Sequence, residues 1–403
     1  MCFVVKDSGD GIEQSNLTSG SQRTGRKWVL PLIAASSFTF MPQGGLGQLI
    51  QLYLGDLHSS PLLISLATSL SYAGILLGSF CWGALSDSCR KKPLLVVLLS
   101  ACAGSVAVLS LRLPAYGALA CVFVTFFMLT GFGPIAMAII SGASTPVNRG
   151  RNLSALLSSR SLGLMLGSMV AGFALATLGF RWGFAVFAIF PLVGVFFVSF
   201  LGKESRHSPL KRRNRLKGLT GGGLGGLYLA TVLRQAGITG AISLIFFYMA
   251  SLGIPEGTMG MARAANHALQ VPALLLFGHM ADRLGRKGIF ILGFGLSALV
   301  PVCFGLANSA WLVTVGFLSN GIGFSALYIG STAHIGDRVA SDSQGTMLGL
   351  YESSRGLGGV LGPLVAGAIV PVLGFQRMFF VMAGIAALGF LLVLLPRHEK
   401  YAL

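Results

Sequence analysis

Charge is scarce in this sequence of 403 residues, of which 10% are charged, whereas a soluble domain carries about 25%. Acidic residues are the scarcest, with 12 Asp and Glu against 29 Lys and Arg. Long polar linkers are few, because apolar runs follow one another from Trp28 to Leu395. These shortages exclude a disordered chain, a secreted disulfide scaffold and an ordinary soluble enzyme.

Motifs for several kinds of chemistry are also missing. The six cysteines form no CxxC pair and no metal-type spacing, so we expect reduced packing residues and no metal site. The sequence has no GxxxxGKS/T, HExxH or GxSxG motif, and no two acids lie within reach of each other inside the apolar runs. We therefore expect no enzyme, and no cofactor apart from a coupling ion.

The apolar runs have the length of membrane spans, since a bilayer core about 30 Å thick needs about 20 apolar residues per helix. The period-2 alternation of membrane barrels is absent from them, and a helix satisfies its own backbone hydrogen bonds in lipid. The sequence predicts an all-α membrane protein with twelve transmembrane helices, at 28–53, 61–85, 93–112, 115–142, 152–178, 182–202, 223–251, 258–281, 288–308, 310–336, 345–371 and 375–395.

Basic residues are concentrated in alternate loops, and the opposite loops hold only Arg112, Arg181 and Arg377. Because cytoplasmic loops carry the excess of Lys and Arg, we expect both termini to be cytoplasmic. The basic clusters are short and separated by spans, so they indicate topology and not nucleic-acid binding. The predicted units are a cytoplasmic tail at 1–27 without a cleavable signal peptide, a six-helix bundle at 28–202, a basic cytoplasmic linker at 203–222, a second six-helix bundle at 223–395 and a cytoplasmic tail at 396–403.

The two bundles repeat each other at a fixed displacement of 195 residues. The segment SSRSLG at 158–163 returns as SSRGLG at 353–358, and Leu178-Gly179-Phe180 returns as Leu373-Gly374-Phe375. Because six spans return the chain to the same side, the halves are predicted to be parallel repeats with a pathway between them.

The loops after spans 2 and 8 carry a shared motif. Residues 278–287 read GHMADRLGRK, and residues 83–92 read GALSDSCRKK, which differs at Ser88 and Arg90. Both resemble the loop signature GxLaDrxGrk of the major facilitator superfamily, and the resemblance covers essentially all twelve spans. It implies a cytoplasmic gate in which Asp87 holds the end of span 11 and Asp282 acts likewise on span 5. The gate residues implied are Gly83, Asp87, Arg90, Gly278, Asp282, Arg283, Gly285 and Arg286.

Small residues recur at four-residue spacing in spans 5 and 11, as at Gly163 and Gly358, and they permit close helix approach. In span 11 they are accompanied by Pro363, a pattern similar to the one that drug exporters of the superfamily carry in span 5. The chain therefore resembles the 12-span efflux branch for drugs and organic compounds. It departs from that branch at Met128, where drug and proton antiporters usually have Arg.

Four arginines and one acid lie inside the predicted spans. A charge at bilayer depth costs at least about 2.5 to 3.5 kcal/mol unless it meets water or a partner, so we expect these side chains to line the interior. Arg160 and Arg355 are repeat equivalents, which favours a role as buried ion-pair or scaffold residues, and we group Arg263 with them. Glu352 lies three residues before Arg355 on one helix face and is the candidate for proton coupling, ahead of His267 and His334.

Arg234 has Thr39 as its repeat equivalent and lies about 16 Å into span 7 at 1.5 Å per residue, near the bilayer centre. This asymmetry favours substrate binding. The other candidate substrate-binding residues are Gln235, Thr239, Tyr248, Gln43, Gln48, Gln51, Asn320 and Tyr328. The alternative is that these amides and hydroxyls tie helices together.

Taken as a whole, the sequence predicts a secondary transporter that works by alternating access, coupled to H⁺, and exports small amphipathic or anionic organic compounds. One alternative is a proton symporter that imports a sugar or organic acid, and another is a non-transporting membrane sensor. The expected partners are a small-molecule substrate and the lipid bilayer, without nucleic acid. We expect a monomer in the plasma (inner) membrane.

Overall fold

The structure, a computed structural model, describes residues 10–86, 89–202, 224–284, 286–338 and 344–394. Of residues 10–28, 146–147, 281–287, 332–333, 336–338 and 344–345 it describes the backbone alone. All regular structure within the described ranges is helical, as the apolar runs predict. The helices are α1 (Asp10–Asp56), α2 (Pro61–Ser86), α3 (Lys91–Leu109), α4 (Ala115–Thr130), α5 (Phe132–Ala143), α6 (Pro146–Ser199), α7 (Gly225–Ile242), α8 (Ile245–Ser251), α9 (Glu256–Leu284), α10 (Arg286–Gly305), α11 (Ala310–Arg338) and α12 (Gln344–Leu394).

Eight helical stretches of the described chain are long and apolar enough to cross a membrane. Two of them, within α6 and α12, each provide two passes, because the chain changes direction at Gly179 (φ 71°) and Gly374 (φ 76°). Packing shows that the chain reverses direction within α6. Gly167, before the turn, lies against Met41, and Gly194, after it, lies against Thr39, so both arms of α6 pass the same level of α1. Together with α1 and α9, these stretches make twelve passes.

At the first, fourth and seventh predicted spans, the observed helices differ from the prediction in length or number. Helix α1 begins at Asp10, well before the predicted start of the first span at residue 28. The fourth span is divided into α4 and α5 near Gly131; Pro134 lacks the N–H that would bond to Thr130, which weakens the helix there. The seventh span is divided into α7 and α8 at Ser243 and Leu244.

The repeat is visible in the packing of each half. Gly163 of α6 packs on the backbone carbonyl of Ser37 in α1, and its repeat equivalent Gly358 of α12 packs on the carbonyl of Val232 in α7. A Cβ at either glycine would overlap that carbonyl, so these positions allow the closest helix contact. The same displacement of 195 residues thus relates contacts as well as sequence.

The two halves meet along two equivalent helix pairs, α6 with α9 and α12 with α2. Gly172 packs on Glu256 in the first pair, and Gly367 packs on Pro61 in the second. Both contacts lie near the end of the molecule that carries the loop at 57–60. Further along the second pair, Ser69 Oγ donates to the Val360 carbonyl at 2.6 Å. The surface along which these two helix pairs meet is called the interface below.

Candidate functional site

A chain of hydrogen bonds leads from the interior of the second half to the first half. The Nε of Arg234 donates to Ser297 Oγ on α10 at 2.9 Å, and its Nη1 donates to Gln235 Oε1 at 2.9 Å. The Nε2 of Gln235 donates to the hydroxyl of Tyr72 on α2 at 3.3 Å. Arg234 is only 2% exposed, so it lies behind Gln235 and reaches the interface through that amide.

The other three interior arginines each lie over an aromatic ring. The distances from guanidinium carbon to ring centroid are 4.8 Å for Arg160 on Phe40, 5.2 Å for Arg263 on Phe317 and 5.1 Å for Arg355 on Phe324. A cation over a ring face is attracted by about 0.5 to 2 kcal/mol, the more so where water is excluded. Arg160 and Arg355, from opposite halves, are close enough for their positive charges to repel each other, and both Arg160 and Arg263 lie near His267; we call these side chains the cluster.

Glu352 and Arg355 form an ion pair in this cluster. The Nη1 of Arg355 donates to both carboxylate oxygens of Glu352, at 2.9 and 3.0 Å. The Glu352 side chain is 55% exposed and the Arg355 side chain 20%. The acid is therefore accessible from the surface of the protein while it remains paired with Arg355.

Two of the predicted amides bind across the interface. Gln48 Nε2 donates to the Glu256 carbonyl at 2.8 Å. Gln51 Nε2 donates to the Ile242 carbonyl at 3.0 Å, and Gln51 Oε1 accepts from the Phe246 amide at 3.1 Å. Both side chains are buried, and their bonds tie the two halves together near the 57–60 end.

Two other predicted residues tie helices within the second half. Tyr248 Oη donates to the Ala307 carbonyl at 2.7 Å, and its repeat equivalent Tyr53 donates to the Leu113 carbonyl at 2.5 Å. Thr239 Oγ1 bonds to the carbonyl of Gln235 in its own helix at 2.7 Å and lies 3.4 Å from the carbonyl of Gly358 on α12. Tyr53 and Tyr248 make equivalent bonds in the two halves. The geometry of Tyr248 therefore supports a structural role, in which its hydroxyl joins neighbouring segments of the chain.

Of the remaining predicted residues, only Tyr328 is linked to the cluster in the part of the chain that the structure describes. Tyr328 is half-buried and interacts electrostatically with Arg160. Asn320 is 9% exposed and lies on α11, and Gln43 is half-buried on α1.

The predicted gate falls largely outside the part that the structure describes. Asp87 and Gly285 are not among the described residues, and the side chains of Asp282, Arg283 and Arg286 are not described. The backbone near Gly83 and near Gly278 is open, since a Cβ at either position would meet no atom within 4 Å. Arg90 is exposed. The role of this motif therefore stays a prediction.

Sequence reasoning missed five side chains of the site. Tyr72 and Ser297 complete the hydrogen-bonded chain of Arg234, and the rings of Phe40, Phe317 and Phe324 support the arginines. One signal was available for Tyr72, because its equivalent at the displacement of 195 residues is His267, another polar ring in an otherwise apolar span. Phe40, Phe317 and Phe324 carry no such signal, because nothing in the sequence distinguishes them from the other phenylalanines, of which the chain has 28 in all.

The cluster combines cations from both halves with apolar ring faces. Such a surface attracts an anionic group and accommodates an apolar body beside it. Because the cations come from both halves, a bound molecule would contact both at once.

The fold and the cluster define a twelve-pass membrane protein built from two repeated halves around a polar interior. The family model described as Major Facilitator Superfamily matches residues 32–222 and 227–402, and the chain belongs to this superfamily. This is a family of transporters and not of enzymes, and the match confirms the resemblance of the loop motifs.

Two curated relatives and one solved structure illustrate the similarity. The MFS-type transporter YuxJ of Bacillus subtilis is 28% identical over 271 residues, 64% of this chain and 68% of the relative. The multidrug resistance protein MdtG of Dickeya zeae is 25% identical over 278 residues, 65% of this chain and 67% of the relative. A POT family transporter in complex with a thioalcohol conjugated peptide has a TM-score of 0.78 at 12% identity, covering 91% of this chain and 95% of that one.

The shared length differs widely between relatives. The matched segment spans 27% of an MFS-type transporter of Mycobacterium tuberculosis and 68% of YuxJ. The structural likeness, at 12% identity, establishes the fold.

Proposed function

We propose that the protein is a secondary active transporter that exports small amphipathic or anionic organic compounds across the plasma membrane in exchange for protons. The observation that carries this proposal is the cationic, ring-lined cluster between the two halves. Arg160, Arg263 and Arg355 each lie on an aromatic face. Both termini are cytoplasmic in this proposal, and the unit of function is a monomer.

The charge balance of the cluster supports an anionic substrate. Within the described part of the chain, Glu352 is paired with Arg355, and neither Arg160 nor Arg263 forms an ion pair. Unpaired cations at bilayer depth are costly. A substrate anion offsets this cost when it binds.

The position of the contacts between the halves supports alternating access. Gln51 and Gln48 close the end that carries the 57–60 loop. With the basic loops in the cytoplasm, this end faces outward, and its contacts would have to break for the carrier to release substrate outside.

The direction and the coupling ion rest on two further observations. The relative from Dickeya zeae is named a multidrug resistance protein, which favours export. Glu352 is more than half exposed and shares its oxygens with Arg355. Protonation of the carboxyl group would release Arg355, so one proton would change the charge of the cluster by one unit.

The test is transport into proteoliposomes under an imposed pH gradient, with naphthalenesulfonate as the probe. This permanently charged anion does not cross lipid unaided, so its movement reports the protein. Accumulation that follows the pH gradient and disappears when the gradient is dissipated supports the proposal. Accumulation equal to that of protein-free vesicles contradicts it, and accumulation independent of pH contradicts the proton coupling.

A further inference from the structure

Two neighbouring side chains of α9 have buried polar atoms without partners. Arg263 Nη1 and both ring nitrogens of His267 make no well-formed hydrogen bond within the part of the chain that the structure describes, and the Gln270 side chain, three residues along α9, interacts only weakly with the imidazole. His267 is only 6% exposed, so water does not replace these bonds freely. Leaving a buried polar group unsatisfied costs about 1 to 3 kcal/mol, and most such groups in proteins have a partner.

These two side chains face the other half of the molecule. Arg263 and His267 are four residues apart and therefore share one face of α9. Gly260, on the same face, packs on Ser168 of α6, which directs the face towards the first half. Arg160 of α6 interacts electrostatically with His267. Basic side chains from both halves thus lie within electrostatic range of one another.

Within the described ranges, no acidic side chain forms an ion pair with Arg160 or Arg263. Glu352 is engaged by Arg355 at 2.9 Å. On its other side, the Arg263 guanidinium lies over the Phe317 ring at 5.2 Å. The site therefore offers hydrogen-bond donors and positive charge beside an aromatic face.

We infer that Arg263 and His267, with Arg160 opposite, form the subsite that binds the oxyanion of an organic substrate. Arg263 Nη1 donates to one oxygen, and a ring N–H of His267 donates to another, since imidazole carries at least one N–H in either form. The apolar body of the substrate lies against Phe317. A carboxylate or a sulfonate has the required two acceptor oxygens.

This inference rests on the proposed function, because it locates the anionic end of the transported compound. It also assigns new roles to Arg160 and Arg263, which the sequence groups with Arg355 as scaffold or ion-pair residues. The oxyanion would touch both halves at once, so its binding would favour closure of the halves around it.

Equilibrium dialysis of the purified full-length protein tests the subsite. The probes are naphthalenesulfonate and the uncharged naphthalenesulfonamide, which has nearly the same shape. A charge-assisted hydrogen bond contributes about 1.5 to 3 kcal/mol, so the sulfonate is expected to bind about tenfold more tightly or better. Arg263→Gln and His267→Phe should each remove most of this preference. Arg377→Gln, an exposed charge of α12 three residues after the turn at Gly374, is the matched control and should keep the preference.

Thermal unfolding without ligand separates a binding defect from misfolding. Removal of an uncompensated charge should leave the Tm of Arg263→Gln equal to or above that of the wild type. Added sulfonate should raise the Tm of the wild type and not that of the variant.

Three results would overturn the inference. If Arg263→Gln and His267→Phe keep the full preference while Arg160→Gln loses it, the cluster binds anions elsewhere and the proposed function stands. If the wild type binds both probes equally, the anionic substrate of the proposed function falls as well. If chloride displaces the sulfonate at equal concentration, the site does not select an oxyanion.

Discussion

Gln51 takes the place of a backbone hydrogen bond at Phe246, in the other half of the protein. In an unbroken helix the Phe246 amide would donate to the Ile242 carbonyl, four residues earlier. The two groups instead bond to the Oε1 and the Nε2 of Gln51, at the gap between α7 and α8. A side chain of the first half thus satisfies two backbone hydrogen-bonding groups of the second half.

The first prediction concerns this exchange of bonds. Gln51→Leu removes both bonds while keeping a side chain of similar size, and it should destabilise the protein by about 1 to 3 kcal/mol. Thermal unfolding in detergent measures the loss, and Gln376→Leu, at an exposed position, is the control that should change little. An unchanged Tm for Gln51→Leu would show that the bonds do not hold this end of the interface.

The second prediction concerns the turns inside α6 and α12. Gly179 has φ 71° and ψ −178°, and Gly374 has φ 76° and ψ 172°; this region is open essentially to glycine alone. Gly179→Ala and Gly374→Ala should each lower the stability by about 1 to 3 kcal/mol. Gly384→Ala, within a helix and with open space at the Cβ position, should be neutral or stabilising. Equal Tm values for all three variants would contradict the assigned backbone.

The third prediction concerns the link between Gln235 and Tyr72. If the bond between them couples the two halves, Tyr72→Phe and Gln235→Leu should each slow transport of naphthalenesulfonate, and the double variant should be no slower than the worse single variant. A double-mutant cycle on transport rates measures this coupling, with about 0.5 to 3 kcal/mol expected for residues in contact. Additive effects would mean that the 3.3 Å contact has no part in transport.

The fourth prediction concerns Glu352. Replacement by Gln keeps the shape but removes the carboxylate, so uptake driven by a pH gradient should be lost while exchange of substrate for substrate continues. Glu256→Gln, at the start of α9, is the matched control and should retain both activities. Undiminished proton-driven uptake by Glu352→Gln would remove Glu352 from the coupling mechanism.

The architecture was predictable from the sequence because lipid imposes strong constraints on the chain. Span length, the distribution of basic residues and the displacement of 195 residues each have a direct physical cause. The turns follow the repeat as well, since Gly179 and Gly374 are equivalents with nearly the same backbone angles. Such features depend on local sequence and on symmetry.

The site was less predictable because it depends on how side chains pair between distant helices. The depth of Arg234 in its span favours substrate contact. In the structure its guanidinium donates to Ser297 and to the side-chain amide of Gln235, and it is buried behind that amide. Tyr248 has the polar group of a ligand contact but makes the same helix tie as Tyr53. A hydroxyl in a span has the same sequence signature in both roles, and only the contact distinguishes them.

Counterflow is the most direct test of a carrier whose two halves open to each side in turn around the arginine cluster. Proteoliposomes are loaded with unlabelled naphthalenesulfonate, and the entry of labelled naphthalenesulfonate is followed without any ion gradient. The account predicts faster entry and a transient accumulation above the outside concentration, both absent in Arg160→Gln. Entry at the same rate into loaded and empty vesicles, or none above protein-free vesicles, would contradict it.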